Sequence, residues 1–169
     1  MPVPPNSHLS TLAADPSAAL TRANAAGLIA RGLTRSFAAH GLVSLPEFTL
    51  RSGRRADLVC LDAKSRITIV EIKSSIEDFR TDQKWPDYLE FCDYFYFAVP
   101  ESFPQELIPG DQGLMVADGY GATVIRESAE LSLNAARRRA VVLQFAQAAA
   151  QRLQLLADPD ALAGSPESF

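Results

Sequence analysis

The chain has 169 residues, 47% hydrophobic and 21% charged, a composition ordinary for one compact soluble domain. No basic segment followed by an apolar one opens the sequence, and no apolar run is long enough to cross a bilayer. This excludes a secretory leader and a membrane span and points to a cytoplasmic protein. The net charge of −4 opposes a nucleic-acid partner until its distribution is read: residues 1–84 hold 11 basic and 8 acidic side chains, and residues 85–169 hold 5 and 12. Local charge is what meets phosphate.

Residues 1–14, with Pro2, Pro4 and Pro5 and the isolated His8, read as a disordered leader ahead of a single domain over residues 15–157. Asp15 followed by Pro16 has the form of an N-cap and a first-turn proline. The helix it opens runs to about His40, with Ile29, Leu33 and Phe37 on its packing face and Arg31 and Arg35 on another stripe. Gly27 and Gly32 weaken this helix or permit a close approach, and Gly41 is placed to end it. His40 sits at the carbonyl end of the helix dipole, a position that favours a cation. Residues 42–50 read as a strand broken at Pro46, hence an edge or a bulge. Glu47 within it is either a third carboxylate for a metal site or a solvent-facing charge. Ser52-Gly53 makes a turn beside Arg51, Arg54 and Arg55. Six arginines and one acid lie from Arg22 to Arg55, which suits a basic DNA-binding rim as well as ordinary solvated faces.

The stretch from Arg54 to Lys73, RRADLVCLDAKSRITIVEIK, carries the chemistry. It reads as two apolar strands joined by a short polar turn. Side chains alternate along a strand, so Glu71 and Lys73 share a face with the core residues Ile67 and Ile69, beside buried surface where unpaired charge is costly. On the partner strand Asp57, Val59 and Leu61 share a face. An odd connection sets Leu61 opposite Ile67, Val59 opposite Ile69 and Asp57 opposite Glu71, whereas a one-residue slip would send the two acids to opposite faces. Two close carboxylates repel, and each raises the other's pKa unless a cation stands between them. An all-oxygen set favours Mg²⁺ or Mn²⁺, held by Asp57, Glu71 and the Ile72 carbonyl. Lys73 is then positioned to orient water and offset charge on a phosphodiester.

Beyond the site, Ser74 and Glu77 stand at capping-box spacing and open a helix that continues toward Trp85 and restarts at Pro86. Lys84 either clamps a phosphate or pairs with Asp82 or Asp87. Trp85 and Tyr88 are expected in the core rather than as stacking platforms for bases. Residues 93–99 are apolar on both faces, as in a covered central strand. Short strands follow over 114–117 and 123–126, joined by the turn at Gly119 to Gly121. Asn134 opens a final helix to Ala157 with Val142, Phe145, Ala149 and Leu153 on one face. Arg137, Arg138 and Arg139 crowd its first turn, where the dipole disfavours cations, so an anionic partner is one reading and a solvated stripe the other. Residues 158–169 read as a frayed tail. Cys60 and Cys92 have no partner at metal-binding spacing and are expected as buried thiols.

The resulting α+β order is helix, three strands, helix, strand, followed by a hairpin and a long helix, with an acid on the second strand and Glu-x-Lys on the third. This resembles the PD-(D/E)XK nuclease superfamily, and the segments RADLVCLD, IVEIKSSIEDFR and KWPDYLEFCDYFYFAVP resemble MmcB-like DNA repair proteins of alphaproteobacteria. The resemblance spans roughly residues 20–150. It implies a restriction-endonuclease-like core with a central mixed sheet flanked by helices, and a nuclease that meets DNA and other repair proteins. In that frame Asp57 and Glu71 are metal ligands and Lys73 the catalytic cation. The chain departs from the pattern at Ala56, where relatives carry proline, and in the five-residue spacing of Gln83 and Tyr88. A noncatalytic DNA-binding or scaffold member of the same fold is the alternative.

Overall fold

In the computed structural model, which describes residues 16–82 and 84–160 and side chains from Asn24 onward, the apolar runs form strands β1 (Val43–Thr49), β2 (Arg55–Leu61), β3 (Ile67–Ile72), β4 (Tyr94–Val99), β5 (Gly113–Ala117) and β6 (Ala122–Arg126). They make one six-stranded sheet in sequential order. β1, β2 and β3 pair antiparallel, β3, β4 and β5 pair parallel, and β6 returns antiparallel on β5. The sheet is therefore mixed, in an α+β fold. A parallel pair needs a crossover, and between β3 and β4 it consists of the short helix α2 (Ile76–Thr81) and a 3-10 helix over Trp85–Phe91. Leader residues 1–14, the Asp15 cap, His8, Gln83 and tail residues 161–169 lie outside the described residues.

Two helices cover the sheet. Helix α1 (Pro16–Ala39) packs Ile29 and Leu33 on Leu58, Cys60, Val70 and Ile72. Gly32 makes that contact possible: a Cβ there would stand 1.9 Å from the Asp118 carbonyl oxygen, so the helix meets the β5–β6 turn backbone to backbone. Of the two roles open to the helix glycines, close approach holds for Gly32. Helix α3 (Ala135–Ala157) lays Val141 and Phe145 on the opposite face, against the cluster that includes Phe48, Val59, Ile69, Phe95 and Phe97. Every residue of β3 is buried, as a strand sandwiched between two apolar layers must be. Trp85 and Tyr88 join this core, Trp85 stacked 5.8 Å from Phe95.

Several expectations need correction at the level of local geometry. The cap of α2 is Ser75, whose hydroxyl accepts from the Asp78 N–H, and not Ser74. The helix after it stops at Thr81 instead of continuing to Trp85. The expectation for residues 42–50 holds: β1 is an edge strand, and its irregularity falls at Glu47, with φ +48°, directly after Pro46. This left-handed residue breaks the alternation, so Leu45 and Phe48 both reach the α3-side core.

The arginines opening α3 have partners within the chain. Arg138 grips Asp93 with both terminal nitrogens, one contact at 2.6 Å, and the same carboxylate accepts the Ile67 N–H at 2.7 Å. Arg137 pairs with Glu90 at 3.2 Å and lies over the Phe91 ring. For these two, neither the anionic-partner reading nor that of an idle solvated stripe holds: they tie α3 to the segment entering β4. Asp93 is 2% exposed. Replacing it with alanine strands the Ile67 amide and the Arg138 guanidinium together, and is expected to cost about 3 kcal/mol. Urea unfolding of Asp93→Ala against wild type measures this, and a change under about 1 kcal/mol would show the pair to be incidental.

Candidate functional site

The β2–β3 turn sets the site's register. Asp62 organises it, its carboxylate accepting the N–H groups of Lys64 (2.8 Å) and Arg66 (2.9 Å), while Ser65 takes a left-handed φ of +60°. Residues 62–66 form an odd connection, and the ladder reads Leu61 opposite Ile67 and Val59 opposite Ile69, as the alternation of the sequence required. Backbone pairing ends at Leu58 opposite Val70. Past that rung the Asp57 side chain takes over, accepting the Ile72 N–H at 2.8 Å. The carboxylate thus stands in for a strand partner and is fixed at the end of β3.

Glu71 and Lys73 are 4% and 2% exposed. The Lys73 backbone is anchored by its N–H to the Ala98 carbonyl at 2.9 Å. Its ammonium donates to Glu71 Oε1 at 3.2 Å and to Asp82 Oδ2 at 2.7 Å. The second carboxylate oxygen of Glu71, Oε2, is buried without a hydrogen-bond partner. An orphaned carboxylate oxygen costs free energy unless a proton or a cation meets it.

Electrostatics follow from this packing. Burial, reinforced by the neighbouring Asp57 charge, pushes the Glu71 carboxyl up to about 8. Asp57 is raised as well, by burial first, with the Ile72 N–H and the Lys73 charge opposing. Burial works against the Lys73 charge, yet the Asp82 bond and the surrounding carboxylates outweigh it and hold the ammonium above its ordinary range. Asp82 moves the other way, kept low by Lys73 and the Lys84 N–H against its partial burial. Asp57 and Glu71 thus resist ionisation while Lys73 and Asp82 favour it.

These groups line a cavity of about 780 Å³ at the carboxyl end of β3. Of the residues singled out from sequence, Asp57, Glu71, Ile72, Lys73, Glu47 and Arg55 line it; Glu47 and Arg55 lie 3.7 Å apart. Arg51, Arg54, Lys84, Arg31 and Arg35 do not. Arg54 pairs instead with Asp87 at 2.8 Å, while Lys84, Arg51, Arg31 and Arg35 are exposed elsewhere. Three charged lining residues carried no site role in the sequence reading: Asp78, Asp82 and Arg152. Arg152 reaches from α3 to the carbonyls of Pro46 and Glu47 at 2.6 and 3.0 Å. Asp82 follows Lys73 by nine residues across a turn of unknown path, so nothing in the local pattern pairs the two.

The donors fit a hard divalent cation. Among the described residues no group of three or more His, Cys, Asp or Glu side chains is placed to hold a metal ion, but Mg²⁺ commonly takes one or two carboxylates and keeps several waters. Glu71 Oε2, buried and unpaired, supplies one such oxygen and Asp57 a second beside it.

A mixed sheet covered on both faces, with two acids and a lysine converging at the end of its third strand, defines an α+β protein whose polar centre is built by strand register rather than by a glycine-rich phosphate loop. The DNA repair protein MmcB-like family matches residues 13–160, and the chain belongs to that family. A solved structure from Silicibacter pomeroyi, of a protein described as of unknown function, is similar at 43% identity and a TM-score of 0.77, over 83% of this chain and 94% of that one. No curated protein matches the chain. Among the described residues no helix is long and apolar enough to cross a membrane.

The raised carboxyls make stability depend on pH. With Glu71 at about 8 in the fold against an ordinary 4.5, the folded chain holds the extra proton. This contribution is whole below pH 4.5 and is lost as pH climbs to about 8; Asp57 acts in the same sense. In chelated buffer the wild-type Tm is expected to fall from pH 5 to 9 more steeply than that of Glu71→Gln. Parallel curves would refute the assignment.

Proposed function

We propose that this member of a DNA repair family is a divalent-metal-dependent deoxyribonuclease of the PD-(D/E)XK kind, hydrolysing phosphodiester bonds with Mg²⁺ or Mn²⁺. The observation that carries this is the buried, unpaired Oε2 of Glu71 beside the Asp57 carboxylate, with the Lys73 ammonium against the other Glu71 oxygen. Burying like charges side by side is costly, and an active site repays that cost through the ion it binds.

In this reading Asp57 and Glu71 hold the ion through carboxylate oxygens, with Ile72 on the same wall and Glu47 at the rim. A bound divalent cation would supply Lewis acidity toward water and neutralise phosphate charge. Asp57 is fixed by the Ile72 N–H and lines the same cavity as Glu71. The Lys73 ammonium donates a hydrogen bond to a phosphoryl oxygen, offsetting charge as it develops, while the proton lost by the attacking water passes to solvent. Asp82 keeps that ammonium charged and pointed inward. Arg55 and Arg152 at the cavity wall offer cations to the flanking phosphates. Arg51, Arg31, Arg35 and Lys84, exposed outside the cavity, are the further cations open to DNA phosphates in this reading.

One observation favours a second reading, a DNA-binding or scaffold member without chemistry: Lys73 is closer to Asp82, at 2.7 Å, than to Glu71. An ammonium held there is satisfied without substrate. The two readings part on one experiment, in which wild type, Lys73→Ala and Glu71→Gln are incubated with labelled single-stranded, flapped and duplex DNA in Mn²⁺. Under the nuclease reading Lys73→Ala lowers the cleavage rate by on the order of 10²–10³, and Glu71→Gln abolishes Mn²⁺ binding in calorimetry. Absence of cleavage by folded wild type, with DNA binding that survives Lys73→Ala, would establish the second.

A further inference from the structure

Asp82 is an anion fixed from several sides. It ends α2, its N–H bonded to the Asp78 carbonyl at 3.2 Å, and leaves the helix in an extended conformation. Both oxygens of its carboxylate then accept: Oδ1 takes the Lys84 N–H at 3.1 Å, and Oδ2 takes the Lys73 ammonium at 2.7 Å. Its carboxylate is thereby held at the cavity wall, facing inward.

Lys73 divides its contacts unequally. Its ammonium lies closer to Asp82 than to Glu71, and of Glu71 it touches Oε1 alone, at 3.2 Å. Glu71 Oε2 is left without a partner. Among the described residues these two are the carboxylates in ion-pair contact with Lys73. At 2% exposed the ammonium has no water to turn to, and a buried charge must find its compensation in the protein. With the Asp82 carboxylate gone, that compensation falls to Glu71. The ammonium closes on the Glu71 carboxylate, the two charges cancel, and a divalent cation approaching Oε2 meets an occupied, neutralised ligand.

We propose that Asp82 is a positioning residue for the metal site: by drawing the Lys73 ammonium toward itself it keeps Glu71 Oε2 open to a divalent cation, and so sets how tightly that cation binds. This rests on the reading of Asp57 and Glu71 as the ion's ligands, and it adds what governs their affinity. Asp82 acts on the ion through Lys73 and not as a ligand, because both its oxygens already carry a donor whereas Glu71 Oε2 carries none. The short Lys73–Asp82 contact thereby gains a use, holding the ammonium beside the ligand without letting it occupy the ligand.

A double-mutant cycle read by Mn²⁺ calorimetry, without DNA and at one pH, tests this on wild type, Asp82→Ala, Lys73→Met and the double variant, with the Tm of each recorded. Asp82→Ala is expected to weaken Mn²⁺ binding by about tenfold or more in the wild-type background and by less than about threefold in the Lys73→Met background. A merely structural defect, or the loss of a nearby negative charge, would persist when Lys73 is removed. Mn²⁺ affinity of Asp82→Ala within about threefold of wild type, or a loss as large with Lys73→Met as without it, overturns the proposal. If Asp82→Ala does not fold, Asp82→Asn, which keeps the shape and an acceptor for the Lys84 N–H, is read by the same criteria. Wild type that binds no Mn²⁺ overturns this inference and the nuclease reading together. The expected cycle in a protein that cuts no DNA upholds the inference and sinks the nuclease reading; Mn²⁺-dependent cleavage with Mn²⁺ affinity indifferent to Asp82 does the reverse.

Discussion

The hydrogen bond from the Ile72 N–H to the Asp57 carboxylate, at 2.8 Å, is the constraint on which the site depends. Where β2 and β3 stop pairing through their backbones, a side chain closes the gap and its charge is fixed one rung from Glu71. Without that bond the Ile72 amide would be left unpaired at the rim of a buried strand, and the acid would be free to turn to solvent. With it, two carboxylates are held together in a setting that penalises both, and the Lys73 ammonium is drawn in beside them.

The layers around the sheet determine how severe that setting is. β3 is buried on both faces, by α1 on one and by α3 with the aromatic cluster of Trp85, Tyr88, Phe95 and Phe97 on the other. Charges at its carboxyl end therefore lie where water screens little, which makes their mutual repulsion strong and the Lys73–Asp82 pair firm. The carboxyl edge of parallel strands is the usual place for ligands in open sheets, because the connecting segments part there. Here α1, α2 and the far end of α3 enclose the gap.

The arginines divide by the same logic of partners. Arg138 and Arg137 hold α3 to the approach of β4, and Arg54 is tied to Asp87. Arg152 bridges α3 to the irregular stretch of β1 at Pro46 and Glu47, next to the cavity. Basic residues in the sequence thus serve two ends, and only the fold separates those satisfied inside the chain from those turned outward.

Much of this was legible in the residues. The alternation of RADLVCL and ITIVEIK, with an odd turn between, fixes which side chains meet, because a strand has a period of two and its buried face tolerates no slip. Asp57, Glu71 and Lys73 could be brought together on that ground alone, and the doubly apolar run before Pro100 marks β4 as covered. The tertiary structure decided what has no local period. Asp82 reaches Lys73 because α2 stops at Thr81 and the chain turns back. Arg152 arrives from the far end of the sequence. Periodicity reports which face a residue takes within its own element; which elements then close around a point depends on packing between segments distant along the chain, and that information is spread over all of them.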